Sequence, residues 1–134
     1  MKFEFSDKAT FQEYFGPAHE IVRRSVKEFV DKEILPNIED WEEMNEFPRT
    51  LYKKAGDVGI LGIGYPDEYG GSPGDIFFQV AAWEEIMRCG SGGVAAGLGS
   101  LNIAIPPILN QGTAEQKERF AKPAIMGEIG RAHV

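Results

Sequence analysis

This sequence is short of cysteine, short of positive charge and, over one long stretch, without charge altogether. It has a single cysteine, Cys89, in 134 residues, which excludes an internal disulfide and fits a reducing compartment. Against 21 Asp and Glu stand only 14 Lys and Arg, for a formal charge of -7. A nucleic-acid binder needs a basic face to meet phosphates, so that class is excluded, and the acidic excess reads as solvated surface. The opening Met1-Lys2-Phe3-Glu4-Phe5-Ser6-Asp7 has neither the cationic start nor the apolar run of a secretory or transit segment, so a cytoplasmic location is expected. From Cys89 to Ala114 no side chain is charged. That run is long enough to raise a membrane span, but Ser100, Asn102, the Pro106-Pro107 pair and the many glycines argue for a buried central helix instead.

The rest of the chain carries 43% apolar and 26% charged residues, the mixture of a globular domain. Ile21, Val22, Val26, Phe29, Val30 and Ile34 recur at spacings of three and four, predicting an amphipathic helix over Pro17 to Leu35. Pro36 suits the first turn of a second helix with Ile38, Trp41 and Met44 on its apolar stripe, and Pro48 opens a third with Leu51, Ala55 and Val58. Gly59 to Gly71 reads as a structured loop. A fourth helix is expected with Ser72 as cap, Pro73 at its first position, and Ile76, Val80, Trp83 and Met87 facing the core. A fifth runs from Gly92 to Leu109 with a kink at Pro106-Pro107, and a sixth opens on a capping box at Gly112-Thr113-Ala114-Glu115-Gln116. These elements define an all-α fold, one six-helix bundle-like domain.

Chemistry is sparse. Cys89 has no base near it in sequence and reads as a small packing residue, not a nucleophile. Gly90-Ser91-Gly92-Gly93 and Gly62-Ile63-Gly64 resemble phosphate loops only superficially, because no strand precedes them. Glu84-Glu85 and Glu42-Glu43 are adjacent, so their side chains diverge, and they read as solvated or capping charges. The Glu-x-x-His pairs of a di-iron bundle are absent, and no metal site is expected. In the fifth helix Gly92, Ala96, Ser100 and Ala104 recur every fourth residue, with Gly93, Gly97 and Gly99 nearby. Something must approach that backbone closely, either a neighbouring helix or a ligand.

Five segments carry a resemblance: Glu46-Phe47-Pro48-Arg49-Thr50-Leu51-Tyr52, Gly59-Ile60-Leu61-Gly62, Tyr65-Pro66-Asp67-Glu68-Tyr69-Gly70-Gly71, Glu84-Glu85-Ile86 and Gly112-Thr113-Ala114-Glu115-Gln116-Lys117. In this order and spacing they resemble the N-terminal helical domain of the acyl-CoA dehydrogenase family, over about Phe11 to Glu128. The resemblance implies an FAD-dependent flavoprotein that oxidises acyl-CoA thioesters between the α and β carbons, passes electrons to an electron-transfer flavoprotein, and is a homo-oligomer when full length. It implies that the fifth helix lines the acyl pocket, with Gly99, Ser100 and Ile103 at lining positions and Gly99 opening the floor to longer or branched chains. The flavin-binding strand and the catalytic carboxylate of the family have no counterpart here, so the chain is expected to be inactive alone and to expose an apolar patch. An acyl-CoA oxidase or flavin monooxygenase of the same fold, and a stand-alone helical interaction module, are the competing readings. The domain is expected to span residues 1–128. Ile129 to Val134 match one reading frame of a common sequencing adapter and are expected to be a non-native tail, leaving His133 without a role.

Overall fold

The computed structural model describes residues 13–129; the opening residues and the greater part of the expected tail, 130–134 with His133, lie outside the described residues. Among the described residues all regular structure is helical apart from one isolated parallel bridge between Ile63 and Ser72, as expected. Helix α1 spans Pro17–Phe29 and continues through a π turn, Val30–Ile34, and a short 3-10 turn, Leu35–Asn37, into α2, Ile38–Met44. Pro36 sits in that 3-10 turn, where its missing N–H costs no α-helical bond. Asn45, left-handed at φ 54°, ends α2, a conformation that asparagine tolerates better than most residues. Helix α3, Thr50–Asp57, is followed by a loop with two 3-10 turns, then α4, Ile76–Met87, α5, Gly92–Gly99, and α6, Leu101–Gln111. Helix α7, Ala114–Gln116, runs through a π turn into α8, Lys122–Ile125. Taking α5 with α6 and α7 with α8 leaves the six expected helical units.

The core joins Val26, Val30, Ile34, Leu51, Ala55, Leu61, Ile86, Leu98, Leu101, Ile105 and Ile125. Each fully buried side chain of leucine or isoleucine size contributes ~1.5–3 kcal/mol relative to exposure. Outside α4, expected core residues depart from this at three positions. Ile21, Met44 and Val58, assigned to apolar stripes, are more than half exposed. Met44 and Val58 stand at the ends of α2 and α3, where no further turn follows to cover them.

The largest correction concerns α4. Its cap is Asp75, whose carboxylate accepts the Phe77 N–H at 2.9 Å, whereas Ser72 takes part in the bridge to Ile63. The stripe of Ile76, Val80, Trp83 and Met87 does not face the core: Ile76, Val80 and Met87 are exposed and Trp83 is half-buried. Ala81, Ala82, Glu85 and Ile86, on the opposite side, are buried. The two alanines allow α4 to lie close along α1, and this pairing takes precedence over the bulkier stripe.

Glu85 is therefore not solvated, and Glu84, half-buried, is held in an ion pair. Glu85 is 3% exposed and Arg23, which faces it from α1, 5%. Arg23 Nη1 lies 2.7 Å from Glu84 Oε2 and 3.6 Å from Glu85 Oε1, with its guanidinium 5.2 Å from the Phe15 ring centre. Arg88 Nη1 donates to Glu85 at 3.2 Å and its Nη2 to Asp31 at 3.1 Å. Burial works against ionising Asp31, but hydrogen bonds from Lys27 and Arg88 outweigh it and hold the carboxyl below its ordinary value. The result is a charge ladder that fixes the register of α1 against α4.

The capping box of the last unit is as expected: Thr113 Oγ1 accepts the Gln116 N–H at 3.2 Å, and the Gln116 side chain accepts the Thr113 N–H at 2.9 Å. At its far end Gly127, at φ 75°, folds onto α3, where an added Cβ would stand 2.1 Å from the Tyr52 carbonyl oxygen. Only glycine satisfies both demands.

Candidate functional site

The uncharged run folds as α5 and α6 with an interruption at Ser100, earlier than the expected break at Pro106-Pro107, which α6 contains. Ser91 caps α5 by accepting the Val94 N–H at 3.1 Å. At the junction the Ser100 hydroxyl donates to the Gly97 carbonyl at 2.8 Å, a side-chain bond that competes with helical pairing and favours the interruption. The inner face, Val94, Ala95, Leu98, Leu101 and Ile105, is buried. The outer face is open: Gly92, Ala96, Ile103, Ala104 and Pro107 are exposed. The expectation of a buried central helix is thus half right. Gly92–Gln111 is 20 residues long with mean hydropathy 1.4, and only 33% of its most apolar window is buried. By length and composition it is long and apolar enough to cross a membrane, a test that core helices also pass.

The expected close approach occurs at two glycines, not along the whole ridge. A Cβ on Gly97 would stand 2.6 Å from the Phe47 ring, and the Tyr52 hydroxyl donates to the Gly97 carbonyl at 3.1 Å. A Cβ on Gly99 would meet the six-membered ring of Trp83, 3.3 Å from Cη2 and 3.5 Å from Cζ3. A Cβ on Gly92 would meet nothing within 4 Å, and Ala96 and Ala104 of the same ridge are exposed.

The sequence-expected site residues share this region. Gly99 closes α5, half-buried against Trp83; Ser100 is the half-buried junction; Ile103, in the first turn of α6, is 78% exposed. The Tyr65 loop braces them from the inner side. Its glycines are spent on its own turns, with Gly64 N–H donating to the Ser72 carbonyl at 2.8 Å and Ser72 N–H to that of Gly62 at 2.9 Å. Tyr65 is buried and donates its hydroxyl to Asn102 Oδ1 at 3.0 Å. Burial pushes the phenol up, which keeps it a neutral donor. Trp83 belongs to the same region, although the sequence pattern assigns it only to the core; its place in the α4 stripe was the available signal.

Elsewhere the chemistry is weaker. Ile38, Glu39, Glu42, Glu43, Cys89 and Ser91 line an open depression of about 460 Å³. Glu42 accepts a hydrogen bond from the Ser91 hydroxyl, so it too is more than a solvated charge. Burial pushes the Cys89 thiol up, away from the reactive thiolate, as its reading as a packing residue requires. Among the described residues no group of three or more His, Cys, Asp or Glu could hold a metal ion. What remains is an uncharged apolar wall, α5 and α6 with the outer stripe of α4, which offers surface to an apolar ligand or partner but no acid, base or nucleophile.

The comparisons agree on one family. The sequence model described as "Acyl-CoA dehydrogenase, N-terminal domain" matches residues 16–128. The long-chain specific acyl-CoA dehydrogenase of Rattus norvegicus mitochondria is 38% identical over 85% of this chain and 26% of its own length. Subunit CarC of the caffeyl-CoA reductase-Etf complex of Acetobacterium woodii is 37% identical over 86% of this chain and 31% of its own. The crystal structure of an acyl-CoA dehydrogenase complexed with FAD from Bacillus anthracis superposes with a TM-score of 0.74 at 32% identity, over 88% of this chain and 20% of that one. The chain thus spans under a third of the length of the relatives it matches.

Proposed function

This chain belongs to the acyl-CoA dehydrogenase family through its N-terminal domain, and on that premise we propose that it is the helical wall of a flavoprotein that oxidises acyl-CoA thioesters. The reaction is α,β-dehydrogenation: a base removes the α-proton while the β-hydrogen leaves as hydride. Neither role falls to the described residues. Their part is to bind and shield the acyl chain, with Gly99, Ser100 and Ile103 lining its pocket and no catalytic residue among them. The observation that carries the reading is the outer face of α5 and α6, uncharged and open at Ile103, with Gly99 and Ser100 half-buried beside it, where the family resemblance expects the substrate. An apolar chain laid there loses water without leaving a buried charge unpaired.

FAD, when bound, supplies the hydride acceptor. The described residues do not fit a cradle for its pyrophosphate. Gly64 is occupied within its loop, the Ser91 cap takes the Val94 amide, and the guanidinium groups of buried Arg23 and half-buried Arg88 face carboxylates. The phosphates would be held by other parts of the longer polypeptide, and this segment would add at most an apolar side to the cavity. An electron-transfer flavoprotein is the proposed electron acceptor, a homo-oligomer the proposed state, and a compartment without disulfide formation, such as the cytoplasm, the proposed location.

Anaerobic titration of the flavin-loaded full-length protein with acyl-CoA thioesters of graded length tests this. Bleaching of the oxidised flavin band by at least one thioester is expected. A flavin that stays oxidised with all of them overturns the reading.

A further inference from the structure

Trp83 is the largest side chain on the outer stripe of α4 and the one member of that stripe drawn inward: Ile76, Val80 and Met87 are exposed, while Trp83 is half-buried and packs against the core. The six-membered ring of its indole occupies the space in front of Gly99, with Cη2, Cζ3 and Cζ2 at 3.3, 3.5 and 3.8 Å from where a Cβ would stand. Gly99 therefore does not simply leave an empty floor. Its missing side chain is the seat of an aromatic ring contributed by a neighbouring helix. Ser100 follows directly and Ile103 lies one turn on, so the ring is seated against the segment that carries the proposed acyl wall.

We infer that Trp83 is a specificity-determining residue, a barrier of the acyl pocket whose position against Gly99 sets how long or how branched an acyl chain is accepted. The inference rests on the acyl-CoA reading above. The physical argument is one of volume and rigidity. An indole has two side-chain torsions and a flat, inflexible ring, so where it is seated by backbone contact it closes a cavity sharply, as a flexible methionine at the same place would not. The Gly99 contact is the seat. A methyl group at 3.3 Å requires the ring to give by a few tenths of an ångström, and a larger side chain requires it to leave.

The two residues should act in a coupled way. In the flavin-loaded full-length protein, Trp83→Ala is expected to raise the kcat/KM ratio of a long or branched acyl-CoA to a short straight one by ~10-fold or more, the scale on which apolar pockets discriminate. Trp83→Phe keeps an aromatic ring and should move the ratio in the same direction by less. Gly99→Ala should shift the ratio in wild-type protein and have little effect once Trp83 is alanine. The readout is the ratio across chain lengths, which a general loss of folded protein does not change. Trp83→Phe also preserves the apolar packing if the alanine variant does not fold. Variants that oxidise acyl-CoA with the wild-type chain-length profile overturn the barrier while leaving the acyl-CoA reading intact. A wild-type protein that oxidises no acyl-CoA overturns both.

Discussion

The α1–α4 interface and the outer face of α5 and α6 are built on opposite logic. The interface carries charge within an apolar seam and is closed in the fold: Arg23 and Glu85 are almost wholly buried, and their charges are set against Glu84, Arg88 and Asp31. The outer face has the composition of a core and is open, with Ile103 the most exposed large apolar residue described. The contrast teaches that hydropathy alone does not locate an interior. A charge is buried where a counter-charge crosses to meet it, and an apolar face stays open where no described element packs against it.

Breaking the closed side should have a large effect. Glu85→Ala removes the buried carboxylate that Arg23 and Arg88 share, leaving Arg23 to Glu84 and Arg88 to Asp31, and is expected to lower stability by about 3 kcal/mol in urea unfolding. A loss under about 1 kcal/mol would reduce the ladder to ordinary surface pairing.

Two isoleucines sharpen the comparison within one helix. Ile105 is 1% exposed and Ile103 78%, so Ile105→Ala should cost roughly 2–5 kcal/mol and Ile103→Ala no more than about 0.5 kcal/mol. Equal losses from the same unfolding experiment would mean that the open face is not open in solution.

The smallest effect belongs to the clasp at the start of α4. His19 Nδ1 accepts the Gly16 N–H at 2.9 Å, and its Nε2 lies 2.9 Å from Asp75 Oδ1. The ring stacks on Phe78 at 4.0 Å. The hydrogen bond from His19 holds the Asp75 carboxyl below its ordinary value. A carboxyl depressed in the folded state contributes stability above its unfolded value, about 3.9, and loses it as pH falls through the folded one. Stability measured from pH 5 downward should therefore decline less steeply in Asp75→Asn than in the parent. An unchanged slope would mean that the clasp adds nothing to stability.

Local chemistry was legible in the sequence and partnership was not. The Thr113-Gln116 capping box, the loop between α3 and α4 and the helix starting at Pro17 follow from side chains acting on their own backbone, so short windows reveal them. The orientation of α4 does not, because it is apolar on both sides and Ala81 and Ala82 win the core by allowing α1 close. Burial of Arg23 was not legible, because its counter-charges at Glu84 and Glu85 are distant in sequence. The proposed pocket positions Gly99, Ser100 and Ile103 come from the family resemblance and not from the residues' own chemistry. Trp83 was not legible, because its contact with Gly99 joins two helices. The ridge of small residues suggests close approach along its whole length, whereas only Gly97 and Gly99 are closely approached.

The most direct test of the open face is sedimentation velocity of this chain across a hundredfold range of concentration, beside a Val80→Lys and Ile103→Lys double variant. An uncovered apolar surface predicts association that grows with concentration in the parent and is abolished in the variant. A parent that remains monomeric throughout and melts in one cooperative step would contradict the claim that this face is built to be covered.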